Sequence, residues 1–394
     1  MEEKEKAADR MDTIYDYIRW RGDERFSYRS FNDVDALIIC YLAYLDMSHG
    51  IKTDKGVGSK RSADIAEDIA RERMKPMKLR EICKRIKARD GGYNILSVSG
   101  GFGESPIIDA AAASKRFGDL YISDYVEIFD TDEATQFSAM TVDLDNHTSF
   151  IAYRGTDDSL PGWKEDFMLA YRMIPGQKLA YDYARRHIEA DKDSGSGIGR
   201  RYYIGGHSKG GNLALYAASL LPDELWQRVE HVYILDGPGL CKEVLPGIDM
   251  SHIADRTTNI RPEFSVIGSL FDTDISDTRI VKSNAPGMMQ HDLSRWGIEY
   301  GELSCSDRYD PAAEWLNAGI DRWIENADMM TRKRFVTDLF DAFAAGGYMH
   351  LKDLNNIDKK GIQSIITKMS NMSPEAKSMA HDLPKSLLRT LRRK

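Results

Sequence analysis

The strongest constraint on the fold is the stretch RRYYIGGHSKGGNLALYAASLLP, residues 200–222. Its apolar start is typical of a short strand, whereas the segment from Lys209 onward has the length and apolar period of a helix. Between the two lies a G-x-S-x-G motif centred on Ser208. A strand, this motif and a helix in succession predict a nucleophile elbow, in which a sharp turn presents a serine hydroxyl above the edge of a sheet.

The geometry of such a turn accounts for the glycines around the serine. Because the backbone is strained, the residues two positions before and after Ser208 must be small, and Gly206 and Gly210 meet that need. The hydroxyl is then held at the start of the following helix, where the helix dipole favours developing negative charge. The alternative of a phosphate-binding turn fits less well, because GGHSKGGN does not match G-x-x-x-x-G-K-[ST].

The remaining pattern predicts strands that alternate with helices, and therefore an α/β fold with a mostly parallel central sheet. Two β-rich runs flank Asp145-Asn146, which indicates a hairpin. Further strands are expected at 231–239, 263–268 and 278–283, and helices in GWKEDFMLAYRM and QKLAYDYARRHIEAD.

Helical patterns flank this core on both sides. An amphipathic helix is expected within residues 31–46, and the chain is almost wholly helical after Pro311. The sequence therefore predicts a helical N-terminal region that packs on the core (1–95), an α/β core (96–305) and a helical C-terminal extension (306–394).

Charge and cysteine content limit the classes of partner. The net charge is −8, which argues against nucleic acid because phosphate binding requires a basic face. Only residues 384–394 are clearly basic; this is typical of a solvated helix end, with a partner or surface contact as the alternative. A signal-type apolar core and runs of about 18 apolar residues are both missing from the sequence. Together with four widely spaced cysteines, these features predict a cytoplasmic protein without an integral membrane segment.

An elbow serine needs a histidine base, and in folds with this elbow the chain order is Ser, acid, His. The histidines that follow Ser208 are His231, His252, His291, His350 and His381. His291 is favoured because NAPGMMQHDLSRW follows the expected strand at 278–283 and places it on the loop after the last strand. His207 adjoins the serine, but its side chain is expected to point away from the hydroxyl and to pack within the elbow.

Several aspartates are candidates for the acid. Asp272 is favoured because SVIGSLFDTDISD precedes the strand that leads to the base, and the same segment offers Asp274 and Asp277. Asp236 in LDGPG is a further alternative, since it ends the strand that follows the elbow helix. An Asp before Gly-Pro-Gly also commonly ties a turn together through backbone N–H groups, which gives Asp236 a structural interpretation as well.

Two segments, SFIAYRGTDDSLPGWKEDF and YIGGHSKGGNLALYAA, resemble the lipase class 3 group of α/β-hydrolases. In that group a strand ending in RGT or RGS precedes the elbow and supplies part of the oxyanion hole. Together with FNDVDALIICYLAYLD, QFSAMTV, LDGPG and MMQHDLSRW, they are most similar to the bacterial Mbeg-like family of unknown function. The resemblance covers roughly residues 30–300, outside the helical C-terminal part. It implies a serine hydrolase fold and selects His291 as the base, and it implies no substrate.

The oxyanion hole is expected to use the backbone N–H groups of Lys209 and Thr156, with the Thr156 hydroxyl as a possible third donor. Lys209 replaces the apolar residue that is usual in class 3 lipases. It is expected to pair with a carboxylate or, alternatively, to favour an anionic substrate. Charged residues near Thr156 predict a cluster that braces its loop, made of Arg154, Asp157, Asp158 and Asp166.

These features predict an α/β-hydrolase that cleaves a carboxylic acyl ester through an acyl-serine intermediate, with Ser208, His291 and Asp272 as the triad. The expected substrate is a small-molecule or lipid-like acyl ester, and the chemistry needs no metal or organic cofactor. A thioesterase, amidase or acyltransferase would use the same triad. The alternative from another class is a noncatalytic or regulatory protein on a hydrolase scaffold, whose helical C-terminus binds a partner.

Overall fold

The structure, a computed structural model, describes residues 11–48, 50, 75–97, 102–130, 134–157, 159–190, 199–271, 273 and 275–345. Its strands are β1 (Met77–Lys78), β2 (Tyr93–Asn94), β3 (Phe102–Gly103), β4 (Tyr121–Asp130), β5 (Thr135–Asp143), β6 (Thr148–Tyr153), β7 (Arg201–His207), β8 (Val229–Leu235), β9 (Thr257–Pro262), β10 (Thr278–Val281), β11 (Ile298–Glu299), β12 (Glu302–Leu303) and β13 (Cys305–Ser306). Its α-helices are α1 (Ile14–Arg21), α2 (Asp33–Leu42), α3 (Leu79–Asp90), α4 (Pro106–Ala113), α5 (Leu160–Met168), α6 (Pro175–Ala190), α7 (Lys209–Ser219), α8 (Asp223–Trp226), α9 (Pro311–Asn326) and α10 (Met329–Ala345).

The main sheet has the strand order β1-β4-β5-β6-β7-β8-β9-β10-β13. Strands β6 to β10 are parallel to one another, whereas β1, β4 and β5 at one edge and β13 at the other pair antiparallel. The mostly parallel sheet expected from the sequence is therefore confirmed. Because β6 to β10 share one direction, their carboxyl ends lie along one edge of the sheet, where ligands bind in open α/β sheets.

The predicted hairpin is also confirmed. β5 and β6 pair antiparallel from Ala139–Tyr153 to Asp143–Ser149, with Asp145 and Asn146 in the connection. The two helices expected after the hairpin correspond to α5 and α6. The strand and the helix on either side of Ser208 correspond to β7 and α7.

One expected strand was placed wrongly. Residues 263–268 form turns, and the strand in this region is β9, which runs over TTNIRP and is buried along its whole length. The polar side chains of β9 do not follow the apolar pattern of a buried strand, but they form hydrogen bonds in the folded protein. Thr257 Oγ1 donates to the Ile253 carbonyl, and Asn259 Nδ2 donates to Thr273 Oγ1. Buried polar groups are tolerated when they are hydrogen-bonded in this way.

Alternating side chains of β6 contribute to two separate hydrophobic cores, one on each face of the sheet. Phe150 and Ala152 belong to the core formed with α1, α2, α3 and α4. Ile151 and Tyr153 belong to the core formed with α6, α7 and α10. Burial on both faces explains why the central strands are almost continuously apolar.

Helix α2 is fixed at its start by a capping box. Asn32 Oδ1 accepts from the Asp35 N–H at 3.1 Å, and Asp35 Oδ2 accepts from the Asn32 N–H at 3.0 Å. The Asp35 carboxylate also binds the Arg116 guanidinium at 2.5 Å, and both side chains are fully buried. These contacts set the direction of α2, whose last turn leads to Tyr44.

The C-terminal helices pack against α5 and the loop that follows β8. Arg332 of α10 is buried, donates to the Ala170 carbonyl at 3.1 Å and pairs with Glu243 at 2.7 Å. Phe340 meets Phe167 of α5 with a ring-centroid distance of 5.6 Å. The helical character expected after Pro311 is therefore confirmed as far as residue 345.

Two further observations concern the composition. Within the described ranges, the structure contains no helix that combines the length and apolarity needed to cross a membrane. All four cysteines are free thiols, and three of them, Cys40, Cys83 and Cys241, are buried. The basic segment 384–394 lies outside the described residues.

Candidate active site

Ser208 lies on a strained turn between β7 and α7. Its φ and ψ are +58° and −130°, a conformation that non-glycine residues rarely adopt and that costs about 1–3 kcal/mol. Hydrogen bonds hold the turn, because the Ser208 N–H donates to the Leu235 carbonyl at 2.9 Å and the Ser208 carbonyl accepts from the Gly211 N–H at 2.9 Å. The strand–turn–helix geometry expected from the sequence is present.

The two glycines of the motif are needed because the backbone segments nearly touch. A Cβ on Gly206 would lie 2.3 Å from the backbone of Gly210, and a Cβ on Gly210 would lie 2.2 Å from the Tyr153 carbonyl oxygen. Real Cβ atoms do not come this close to backbone atoms, so any larger residue would push β6 away from the elbow.

His291 and Asp236 meet at the same edge of the sheet. His291 ends a 3-10 helix, Gly287–His291, that follows β10, and Asp236 directly follows β8. His291 Nδ1 donates to Asp236 Oδ2 at 2.6 Å. The ring of His291 also packs on that of His207, with 4.4 Å between the centroids, which places it beside the elbow.

Asp236 is held rigidly by its surroundings. Its side chain is buried, and its second oxygen, Oδ1, accepts from the Ser265 hydroxyl at 2.5 Å and from the Gly268 N–H at 3.2 Å. Its backbone has a φ of +45°, and Asn212 of the elbow helix donates to the carbonyls of Pro238 and Gly239 in the turn that follows. The carboxylate can therefore present only Oδ2 to the histidine.

The structure places only some of the aspartates that the sequence offers as the acid. Asp272 and Asp274 lie outside the described residues. Asp277 binds Thr258 and Arg279 at the amino ends of β9 and β10, at the edge opposite to Ser208. Of the candidate aspartates that the structure describes, Asp236 is the one in contact with His291.

The other histidines near the elbow in sequence occupy different positions. His207 is buried, and its ring nitrogens lie 2.8 Å from Tyr44 Oη and 2.8 Å from the His291 carbonyl oxygen. His231 contacts the Thr258 hydroxyl at 2.7 Å, at the amino end of β8. His252 packs edge-on against Trp226. None of these three rings is described as contacting Asp236.

Thr156 follows β6 and lies close to the elbow. A Cβ on its neighbour Gly155 would be 3.0 Å from Ser208 Cβ, so this segment passes directly beside the serine. The Thr156 hydroxyl donates to the Asp166 carboxylate, whose oxygens lie at 2.8 and 2.6 Å. The hydroxyl has a single hydrogen, so it cannot donate to an oxyanion while it donates to Asp166.

The ionisation of Asp166 is itself shifted. Burial raises the pKa of its carboxyl to about 7, although the Lys209 ammonium and the Thr156 hydroxyl lower it. Glu165, the neighbouring carboxylate, raises it further. Asp166 is therefore partly protonated near neutral pH. The charge of the group that accepts the Thr156 hydrogen bond changes with pH in this range.

Lys209 points into the protein and not toward solvent. Its ammonium group is buried and donates to Glu165 Oε2 at 2.7 Å, the Gln136 carbonyl at 2.8 Å and Gln136 Oε1 at 2.9 Å. Three acceptors use all three N–H donors, so the lysine is not available to attract an anionic substrate. The pair ties α5, which carries Asp166, to the first residue of the elbow helix.

The charge cluster expected around Thr156 is only partly as predicted. Asp166 supports the threonine, but Arg154 pairs with Glu127 of β4 at 2.7 Å. Asp157 accepts from the Ser159 N–H at 2.9 Å and so caps the start of α5. Asp158 lies outside the described residues.

Several residues of the site were not found from the sequence. Tyr44 and Glu165 contact it from segments far from the elbow, and both lie within ordinary helical patterns. Ser265 was assigned to a strand that does not exist. His207 did have a sequence signal, since it directly precedes the elbow serine and was expected to pack within the elbow.

The topology and the serine elbow define the class: the protein has an α/β-hydrolase fold, with Ser208, Asp236 and His291 following the carboxyl ends of β7, β8 and β10. The Mbeg1-like family profile matches residues 111–341, more than half of the chain, and the chain belongs to this family. The match starts later than the resemblance seen in the sequence and extends further, since it includes α9 and most of α10.

Comparison with solved structures gives weak similarities. The chain is similar to the crystal structure of M37 lipase, with 15% identity and a TM-score of 0.36, over 61% of this chain and 70% of that chain. It is also similar to a mutant of MDLA from Penicillium cyclopium, with 13% identity and a TM-score of 0.32, over 52% and 74% of the two chains. A search of curated proteins gave no match.

Proposed function

We propose that the protein is a serine hydrolase that cleaves carboxylic acyl esters through an acyl-serine intermediate. Ser208 is the nucleophile, His291 the base and Asp236 the acid, which replaces Asp272 as our assignment. The observation that carries the proposal is the 2.6 Å hydrogen bond between His291 and the buried Asp236, beside a serine on a strained elbow. A carboxylate in this position selects the histidine tautomer and stabilises the imidazolium that forms.

The tautomer determines the first chemical step. Because His291 donates its Nδ1–H to Asp236, its Nε2 carries the lone pair and accepts the hydroxyl proton of Ser208. The serine oxygen then bonds to the ester carbonyl carbon, whose oxygen becomes an alkoxide. When this intermediate collapses, the carbon–oxygen bond to the leaving alcohol breaks, and His291 returns the proton to that alcohol. Water repeats the sequence on the acyl-serine and releases the acid.

The alkoxide is stabilised by backbone donors. The Lys209 N–H begins α7, where the amides of a helix point toward negative charge, and the Thr156 N–H lies on the segment that passes the serine. The ion pair of Lys209 with Glu165 and the bond of Thr156 to Asp166 hold both donors against α5. Donors fixed in advance need no reorganisation during the reaction, which is the source of their effect on rate.

The test is labelling with a fluorophosphonate probe, combined with hydrolysis of p-nitrophenyl esters. The native protein should be labelled and should hydrolyse short acyl esters, and Ser208→Ala should abolish both. Ser219→Ala is the matched control, because Ser219 is equally buried at the far end of the elbow helix and its hydroxyl donates to the Leu215 carbonyl. Full labelling of Ser208→Ala, or failure to label the native protein, would exclude Ser208 as an activated nucleophile.

The same assay separates the alternatives. A noncatalytic scaffold protein would show neither labelling nor turnover, whereas a thioesterase or acyltransferase would be labelled and would prefer a thioester or an added alcohol acceptor. We favour a cytoplasmic setting, in keeping with the four free cysteines.

A further inference from the structure

A chain of hydrogen bonds links an N-terminal tyrosine to the loop of the proposed base. Tyr44 Oη lies 2.8 Å from His207 Nδ1, and His207 Nε2 lies 2.8 Å from the main-chain carbonyl oxygen of His291. Tyr44 is 4% exposed and His207 is 6% exposed, so water does not compete for these contacts.

The direction of each bond follows from its acceptor. A carbonyl oxygen can only accept, so His207 Nε2 carries a hydrogen and donates it to His291. Burial lowers the pKa of His207 well below its usual value, and the neighbouring His291 acts in the same direction, so the ring of His207 is neutral. Nδ1 of His207 is therefore an acceptor, and Tyr44 Oη donates to it. The tyrosine hydroxyl selects the tautomer of His207 that can hold His291.

The Tyr44 hydroxyl also lies against Gly155, in the segment of the proposed oxyanion hole. A Cβ on Gly155 would lie 2.2 Å from Tyr44 Oη and 2.5 Å from the His207 carbonyl oxygen. Gly155 immediately precedes Thr156, a proposed oxyanion donor. One phenol oxygen thus lies between the oxyanion segment and the histidine that holds the base.

Tyr44 lies outside residues 111–341, the part of the chain that matches the family. Its position is fixed by the N-terminal region: its N–H donates to the Tyr41 carbonyl at 3.1 Å, and its carbonyl accepts from the Leu96 N–H at 2.7 Å. A contact between this region and the catalytic edge of the sheet is not required by the packing of α2 alone, which covers a face of the sheet and not its edge.

We propose that Tyr44 and His207 are positioning residues that hold His291 and the Gly155–Thr156 segment in register, so that the N-terminal region completes the active site. This inference rests on the proposed serine hydrolase function. Tyr44 acts at two places: through His207 it orients the base, and by its contact with Gly155 it supports the oxyanion segment.

The first test uses kinetics on a set of matched variants. Tyr44→Phe removes one oxygen and should lower kcat about tenfold, with KM nearly unchanged, because the affected groups act on the transition state. His207→Leu removes both bonds and should lower kcat about a hundredfold. His207→Gln keeps an amide N–H near the position of Nε2 and should recover most of that loss. Adding Tyr44→Phe to His207→Leu should cost less than Tyr44→Phe costs alone, since the hydroxyl then has no ring to orient and only its contact with Gly155 is lost.

Tyr17→Phe is the control for the loss of a buried phenol in the same region. Tyr17 Oη donates to Asp35 Oδ1 at 3.2 Å within the N-terminal core. This variant should lose stability to a similar extent as Tyr44→Phe and retain full kcat. Equal losses in His207→Gln and His207→Leu would overturn the proposal, because the donor to the His291 carbonyl would then be irrelevant.

The second test does not depend on activity. In proton NMR, the Nδ1 hydrogen that His291 shares with Asp236 should give a resolved downfield resonance, which His291→Ala identifies. Tyr44→Phe and His207→Leu should broaden or shift it, and Tyr17→Phe should not. If the native protein proves inactive toward esters and the probe, the proposed function fails, while the resonance still decides whether Tyr44 and His207 position His291. An unchanged resonance in Tyr44→Phe would refute the positioning role even in an active enzyme.

Discussion

His291 donates from Nδ1 to Asp236 across 2.6 Å, although 55 residues separate the two in the chain. The two residues meet because β8 and β10 end at the same edge of the sheet, separated only by β9. The turns after β9 add the Ser265 hydroxyl and the Gly268 N–H as donors to the other carboxylate oxygen, which leaves Oδ2 for the histidine.

Asp236→Asn should therefore lower kcat by about three to four orders of magnitude, because the amide cannot stabilise the imidazolium and favours the wrong tautomer of His291. The measurement is steady-state hydrolysis of a p-nitrophenyl ester, on protein whose thermal midpoint has been compared with the native value. Asp272→Asn, the acid favoured from the sequence, is the control and should keep most of the activity. A larger loss in that variant would return the acid to the segment 272–277.

Lys209→Met should destabilise the protein by about 3 kcal/mol or more, since it leaves the Glu165 carboxylate buried without its cation. Urea unfolding measures the change. The double variant Lys209→Met/Glu165→Gln removes both charges of the pair and should recover a substantial part of the loss, because no unpaired Glu165 charge is then left buried. If the double variant is less stable than Lys209→Met, packing of the lysine stem and not its charge explains the effect.

Gly210→Ala should impair folding, because its Cβ would lie 2.2 Å from the Tyr153 carbonyl oxygen, a backbone atom that cannot move aside without shifting β6. Overpacking of this kind costs about 1–3 kcal/mol and here also displaces the Thr156 segment. The expected result is a lower urea midpoint together with a lower kcat. Gly91→Ala is the control at a glycine far from the site. Gly91 has a positive φ and open space around it, so this variant should lower stability but leave kcat unchanged.

The parts of the fold that sequence pattern could predict are those fixed by neighbours in the chain. The elbow depends on glycines two positions from Ser208, and the β5–β6 hairpin depends on a local turn, so both were identified correctly. β9 was missed because its Thr, Asn and Arg side chains are satisfied by partners that only the folded chain supplies. The turns at 263–268, which position Asp236, were consequently assigned to a strand.

The residues of the candidate site differ in the same way in how far the local sequence points to them. Ser208 and His291 carry local signals, a motif and a position after the last long strand of the core. The identity of the acid depends on which carboxylate reaches His291, and that is decided by the order of β8, β9 and β10 in the sheet. The contact of Tyr44 with His207 spans 163 residues and has no counterpart in local periodicity.

The pH dependence of stability should contain a contribution from Asp166. Its carboxyl has a pKa of about 7 in the folded protein, against 3.8 for an unperturbed aspartate. Between these values the folded state holds a proton that the unfolded state has released, so stability falls as pH rises from about 4 to about 7 and is constant above that.

Asp166→Asn removes this titration while keeping an oxygen that accepts from the Thr156 hydroxyl. The free energy of unfolding, measured in urea at pH 5, 6, 7 and 8 for both proteins, should show the native protein losing on the order of 2 kcal/mol relative to the variant between the ends of the series. Other titrating groups are common to both proteins and cancel in the difference. A difference that stays constant, or that grows in favour of the native protein as pH rises, would mean that Asp166 is ionised throughout and that Thr156 is held by a permanent charge.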